Sequence, residues 1–262
     1  MKIGILSKRT TMLAGKLKEY LESYNHEVKI LTLKDLVINE TLLERDYYIL
    51  KSKQLFFLYA GFFLEANNIP IYPNPSITYK HKNRIEAHFL MKRAGLATPD
   101  YYFGSYQTLI ESLNNTNFPL LIKPTMGSGS RGIKIIHSLE ELDFLKGQLI
   151  YLENYLEGDH YNVYFLGKEI CALKKPPLSD EHATMERIEL TDDIKDYINK
   201  WIRTYNVPFG HLDLVREHST KKLYAVDPGT FPEYSNWKCE GDPVSIIGDI
   251  LLEKYKELKN QK

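Results

Sequence analysis

Leu120–Ile136 reads LLIKPTMGSGSRGIKII, and within it Gly127, Gly129 and Gly132 satisfy the pattern G-x-G-x-x-G. A dinucleotide turn of that pattern needs a helix directly after the glycines, so that its N-terminus holds a pyrophosphate. Here Ile133-Lys-Ile-Ile136 follows, and that run forms a strand. The Walker pattern fails as well, because Ile133 stands where a lysine and then Ser or Thr would be needed. The glycines therefore join two antiparallel strands, either as a flap whose N–H groups cover phosphates or as a flexible hairpin turn. Lys123 favours the flap. A charge that ends the apolar run LLIK has to be satisfied, and a polyanion does so.

Working outward from the loop, strands and helices alternate at the N-terminus. KIGIL (Lys2–Leu6), HEVKILTL, DYYILKSK (Asp46–Lys53) and IPIYP read as strands, with helices over TMLAGKLKEYLESYN and Leu55–Asn67. Short connections between them predict a small open parallel sheet over the first 75 residues or so. A helix over Lys82–Ala94 is closed by Gly95 and Pro99, and FPLLIKP and GIKIIHS flank the glycine loop. SLEELDFLKG is expected to be a short helix capped by Ser138, with Glu141 three residues on. LIYLENYL follows, then YNVYFLGKEICALKK as a strand pair turning at Gly167. TDDIKDYINKWIRTYN is an amphipathic helix, FGHLDLVRE and KLYAVDPG are a final strand pair, and Pro243–Leu258 is a C-terminal helix.

Lys+Arg and Asp+Glu both number 34 among 262 residues, a balance that gives no support to a nucleic-acid or membrane partner. Cys171 and Cys239 are too few for a disulfide framework or a zinc knuckle. MKIGILSKRT is too short an apolar run for a signal peptide, and LFFLYAGFFLEA too short for a membrane span, so the expected location is the cytoplasm.

The stretches FPLLIKPTMGSGSRGIKII, HKNRIEAHFLMKRAGLATP, LIYLENYLEGD and HLDLVREHSTKKLYAVDPGTFPEY come in the order of an ATP-grasp protein. The chain resembles the RimK-type amino-acid ligases of that superfamily. GKEICALKKPPLSD and VDPGTFPEY also resemble the inositol-phosphate kinases, a branch of the same fold. The resemblance implies an α/β architecture: an N-terminal open parallel sheet (residues 1–78) ahead of two α+β lobes clasping ATP, a small lobe with the flap (79–150) and a large one with hinge and metal strands (151–262). It implies that Lys123 binds an ATP phosphate beneath a flap of Gly127, Ser128, Gly129, Ser130, Arg131 and Gly132. Glu153, Asn154, Tyr155 and Leu156 would form the hinge that receives adenine, with Glu157 or Asp159 at the ribose. Lys175 would be a second phosphate-binding cation. Asp213 and Asp227 would hold Mg²⁺, or Mn²⁺ in its place, because a hard cation takes carboxylate and phosphate oxygens.

Three positions depart from the family pattern. Asn83-Arg84 replaces an Asp-Lys pair and keeps one positive charge; Gly229 stands at the position of a metal-binding Asn; and DHYNVYF lacks an Asp-x-Arg. One or two metal ions both stay open.

The residues themselves also have plainer readings. Asp213 alternates with His211, so the two share a face, which could be solvated; Asp227 before Pro228 could merely start a turn. Their place on consecutive strands favours metal, since paired strands bring carboxylates within bridging reach. His211 is more simply a packing residue. One of Lys174 and Lys175 faces outward by alternation. Lys51 and Lys53 sit at a strand end where ligands of open sheets collect, and either bind an anionic substrate or lie on the surface.

The implied reaction joins a carboxylate, of an amino acid or peptide, to an amine through an acylphosphate, with Lys123, Lys175 and Arg84 as the catalytic cations. The same site would serve a kinase of a phosphorylated polyol, or a nucleotide-binding protein with a degenerate centre. Small-molecule substrates are the expected partners, and the oligomeric state is open, a homo-oligomer included.

Overall fold

A computed structural model of the chain describes residues 1–127, 132–179 and 183–260. Its first sheet is built from β1 (Lys2–Leu6), β2 (Glu27–Leu31), β3 (Tyr47–Leu50) and β4 (Ile71–Tyr72), with α1 (Met12–Ser23) and α2 (Leu55–Ala66) between them. The order is β2-β1-β3-β4 and every pair is parallel, as the alternation predicts. Thr11 caps α1 by accepting the Ala14 N–H. Gly4 is required on β1 because the Tyr48 ring of β3 lies over it: a Cβ there would sit 2.4 Å from that ring. The apolar α2 buries Phe57, Leu58, Ala60 and Leu64 and leaves Phe56 and Tyr59 exposed.

The helix expected over Lys82–Ala94 is α4 (Arg84–Arg93), and a further helix that the sequence reading missed, α3 (Pro75–Lys82), directly precedes it. Asn74 caps α3 with Pro75 at its first turn. Asn83 then takes an extended conformation (φ −80°, ψ 118°), and its side chain accepts the N–H groups of Ile85 and Glu86. One residue thus ends α3 and starts α4. The sequence reading missed β5 (Tyr101–Ser105) and α5 (Tyr106–Ser112), whose Ser105 cap accepts from Thr108.

With β6 (Leu120–Lys123), β7 (Lys134–Ile136) and β8 (Leu149–Asn154), β5 forms an antiparallel sheet of order β5-β8-β6-β7. β6 and β7 pair antiparallel on either side of the glycine loop. The expected Ser138-capped helix is a 3₁₀ turn over Glu140–Leu145 with no side-chain cap; Glu141 accepts the His137 N–H instead. This sheet has its own core of Leu120, Ile122, Ile136, Leu142, Ile150 and Leu152.

The third sheet runs β11-β10-β9-β12-β13 and is antiparallel throughout. It comprises β9 (Gly158–Leu166), β10 (Glu169–Lys175), β11 (Glu186–Arg187), β12 (Phe209–Glu217) and β13 (Leu223–Gly229), with α6 (Asp192–Tyr205) between β11 and β12 and α7 (Pro243–Asn260) at the end. α6 covers one face, packing Ile194, Ile198 and Trp201 on Val163, Leu212 and Leu214. A second cluster joins Ile3, Ile5 and Ile49 of the first sheet to Leu166, Phe209, Ile247 and Leu251, so the first and third sheets share a core. Divisions at residues 78 and 150 fall inside α3 and β8.

Two cysteines were expected to build no disulfide framework, yet Cys171 on β10 pairs with Cys239 ahead of α7, their Cα atoms 5.7 Å apart. A separation of 68 residues left no trace of the pairing in the sequence. Among the described residues no helix is long and apolar enough to cross a membrane.

Candidate functional site

The face of the third sheet opposite α6 carries one polar row. Across β9, β12 and β13, Asn162 stands opposite Asp213, and Asp213 opposite Asp227. On the neighbouring row Lys175 of β10 is opposite His160 of β9. Directly paired residues of an antiparallel sheet point to the same side, and Asp213, Asp227, Lys175 and His160 line the floor of an open cavity. The second sheet supplies the opposite wall through Leu121, Lys123 and Glu153, and the chain between β8 and β9 supplies Tyr155 and Leu156. Arg84, the first residue of α4, closes one end.

Each cation here meets a carboxylate. Lys123 and Glu153 form a buried ion pair, and the Tyr151 hydroxyl donates to the other Glu153 oxygen at 2.7 Å. Lys175 donates to Asp213 at 2.7 Å, and Arg84 lies 2.5 Å from Asp227. Burial alone would push the Asp227 carboxyl up, but Arg84, Lys53 and Lys123 outweigh it and hold the group down to about 2. Burial pushes the Arg84 guanidinium down, and Asp227 more than restores it. Burial, reinforced by Lys175, lowers His160 to about 4, so it is a neutral imidazole.

Several buried polar atoms in or beside this cavity have no partner: Asp213 Oδ1 and His160 Nε2 on the floor, Asn162 Oδ1 beside Asp213, and Asn154 Oδ1 on β8. Orphans of this kind mark an incomplete site. Asp213 Oδ1 in particular offers a hard oxygen beside the Asp227 carboxylate, which suits Mg²⁺ or Mn²⁺. Among the described residues no group of three or more His, Cys, Asp or Glu side chains converges for a metal. Asp213 and Asp227 would thus share the ion with oxygens of a bound phosphate.

The sequence-based candidates do not all converge. Lys123, Glu153, Asn154, Tyr155, Leu156, Lys175, Arg84, Asp213 and Asp227 line the cavity. Glu153 does so with a carboxylate committed to Lys123, a pairing no local pattern announces. Asp159 is turned toward Lys174, 2.8 Å away on the other face of the sheet, and Glu157 is exposed. Gly127 and Gly132 bracket the loop; Ser128, Gly129, Ser130 and Arg131 lie outside the described residues. Gly132 has φ +74°, open to glycine at little cost, and a Cβ there would meet Pro124 at 2.9 Å.

Lys51 is buried in an ion pair with Glu233 and stands 5.5 Å over the Phe231 ring. Lys53 is half-buried, and its charge reaches Asp227. His160 and Asn162 were missed, although they are polar residues at alternate positions in the apolar strand DHYNVYFL. His211 was read as a packing residue, and its ring fills the space beside Gly229: a Cβ at Gly229 would lie 1.9 Å from His211 Cε1. That crowding explains why residue 229 carries no side chain.

No protein-family model matches the chain. D-alanine–D-alanine ligase A of Bacillus cereus is 26% identical over 130 residues, covering 42% of this chain and 43% of that protein. Mitochondrial pyruvate carboxylase of mouse is 26% identical over 130 residues, 39% of this chain and 11% of its own length. The chain thus spans less than half of these curated relatives. Among solved structures, a RimK domain ATP-grasp protein from Sphaerobacter thermophilus superposes with a TM-score of 0.79 at 10% identity, covering 96% of this chain and 100% of that one. D-alanine–D-alanine ligase from Bacillus anthracis, solved with ATP, superposes at 0.74 with 18% identity over 100% and 99% of the two chains. The ATP-grasp ligase PsnB, solved with a precursor, Mg and ADP, superposes at 0.69 with 13% identity over 97% and 98%.

Proposed function

We propose that this chain, which has the ATP-grasp fold, is an ATP-dependent ligase that joins the carboxylate of an amino acid or peptide to an amine. One observation carries this reading: Asp213 and Asp227 face each other on adjacent strands, one oxygen unclaimed, in a cavity whose cations are Lys123, Lys175 and Arg84. ATP would supply the phosphoryl group that activates the carboxylate as an acylphosphate, from which the amine displaces phosphate. The metal would supply positive charge at the phosphate oxygens.

The chain's own residues position and neutralise, which is nearly all that phosphoryl transfer asks of a protein. Lys123 is held upright by Glu153 and Tyr151 at the foot of the flap, where its ammonium meets a phosphate. Lys175 and Arg84, paired with Asp213 and Asp227, would offset charge on the phosphate oxygens, and the two aspartates would hold the metal. The Asn154 and Tyr155 N–H groups already bond the Asp100 and Pro119 carbonyls, which leaves Leu156 as the hinge donor for adenine's edge. His160, a neutral imidazole with a free Nε2, gives or takes a hydrogen bond without adding charge. Lys53, in the connection between β3 and α2 and within electrostatic reach of Asp227, receives a substrate carboxylate.

Turnover of ATP with pooled amino acids, read for ADP and for phosphate separately, tests the reading. Amino-acid-dependent release of both supports it; ADP without phosphate, obtained only with pooled inositol phosphates, would replace it by a kinase. In the same assay Lys123→Ala should raise the Kd for ATP by about a hundredfold, the loss of two charge-assisted hydrogen bonds. Unchanged affinity would remove Lys123 from the site.

A further inference from the structure

A second cavity lies on the other side of β13 and shares no lining residue with the first. It lies between α3, the C-terminal end of α6 and the start of β12. Its walls are aromatic: Tyr72, Phe165, Trp201, Tyr205 and Phe209. Among its described lining residues none carries a full charge, so a phosphate or carboxylate would be desolvated there without compensation.

His81 lines this space. It is 2% exposed, its ring lies tilted at 44° to the Trp201 ring with centroids 5.1 Å apart, and neither of its ring nitrogens has a hydrogen-bond partner. Burial, with Lys53 nearby, lowers it to about 3, so it carries one N–H donor and one acceptor. A buried imidazole with both nitrogens unsatisfied would cost stability unless something meets it. A mainly aromatic cavity with a few polar residues in its walls, here His81, Asn74, Asn206 and Thr230, has the make-up of a small-molecule site.

We propose that this cavity is a second binding site, separate from the nucleotide cavity, for a neutral aromatic molecule whose polar edge hydrogen-bonds the imidazole of His81. The aromatic walls take the ring by edge and face contacts, and His81 selects a ligand that carries a donor or acceptor beside the ring. The cavity also lies next to the first one along the backbone. His81 of α3 stands shortly before Arg84, the first residue of α4, and Asp227 lies on β13, whose last residue Gly229 lines the cavity with Thr230 after it. A bound ring therefore touches β13, which carries Asp227, and the helix directly ahead of the one that Arg84 opens.

Benzamide, a ring with an amide edge, is the probe. In the full chain carrying Trp237→Phe, Trp201 is the sole tryptophan, and saturable quenching of its emission reports occupancy. The expected result is saturation that is unaffected by a non-hydrolysable ATP analogue, with His81→Phe weakening benzamide about tenfold, the worth of one hydrogen bond. Should His81→Phe fail to fold, ¹⁵N shifts of the His81 ring in the unmodified protein read the same contact, and both nitrogens should move on adding benzamide. Absence of saturable quenching, equal affinity of a folded His81→Phe, unmoved His81 nitrogens, or displacement by the ATP analogue would each overturn the proposal.

Discussion

Gly229 and His211 show how one missing side chain fixes the chemistry of its neighbour. Because the His211 ring occupies the space in front of Gly229, Gly229→Asn does not add a metal ligand but forces two side chains into one volume. We expect it to lower stability by about 1–3 kcal/mol in chemical denaturation, with most of the loss recovered when His211→Ala is added. Asp227 makes a separate prediction about pH. Its carboxyl is held down to about 2, whereas an unfolded aspartate titrates near about 3.9. A depressed folded value contributes stability that is full above about pH 4 and vanishes as pH falls through about 2. In Asp227→Asn the urea midpoint should therefore fall less between about pH 5 and pH 2 than in the parent protein.

At the scale of elements, Asn83 is the joint between α3 and α4, and its side chain holds two N–H groups of α4 while the Arg84 N–H bonds the Thr125 carbonyl. Asn83→Ala should cost about 1 kcal/mol as a lost cap, and by loosening Arg84 it should reduce ATP turnover by more than that loss of stability accounts for. Steady-state kinetics beside thermal melting separates the two. The helix over Lys82–Ala94 could be read and is α4, whereas α3, an eight-residue helix just ahead of it, escaped because PSITYKHK has no clear apolar stripe. β5 and α5 escaped for a related reason: YYFGSYQTLIES has neither clean alternation nor a clear helical stripe, and its strand is defined by pairing with β8.

The strands that could be read were those with strong β-branched or apolar runs. The aspartates could be read because they fall on consecutive strands of the same hairpin. His160, Asn162 and the Glu153 partner of Lys123 depend on which strand lies beside which, and a single sequence does not state that register.

At the scale of the whole molecule, the first and third sheets share one core while the second keeps its own, and the Cys171–Cys239 bridge ties the third sheet to the segment that leads into α7. In the chain-entropy account, a crosslink over 68 residues contributes up to about 4 kcal/mol. Dithiothreitol should accordingly lower the thermal midpoint of the parent protein and leave that of Cys171→Ala/Cys239→Ala, already lower, unchanged. The overall charge is zero, and in the first cavity Lys123, Lys175 and Arg84 are matched one for one by Glu153, Asp213 and Asp227. Such a cavity projects little field into solvent. An arriving nucleotide is not drawn in from afar but trades places with carboxylates already in position. Its association rate should then stay nearly flat as ionic strength rises, where an unmatched cationic cleft would slow steeply. Stopped-flow binding of a fluorescent ATP analogue across a salt series measures that slope.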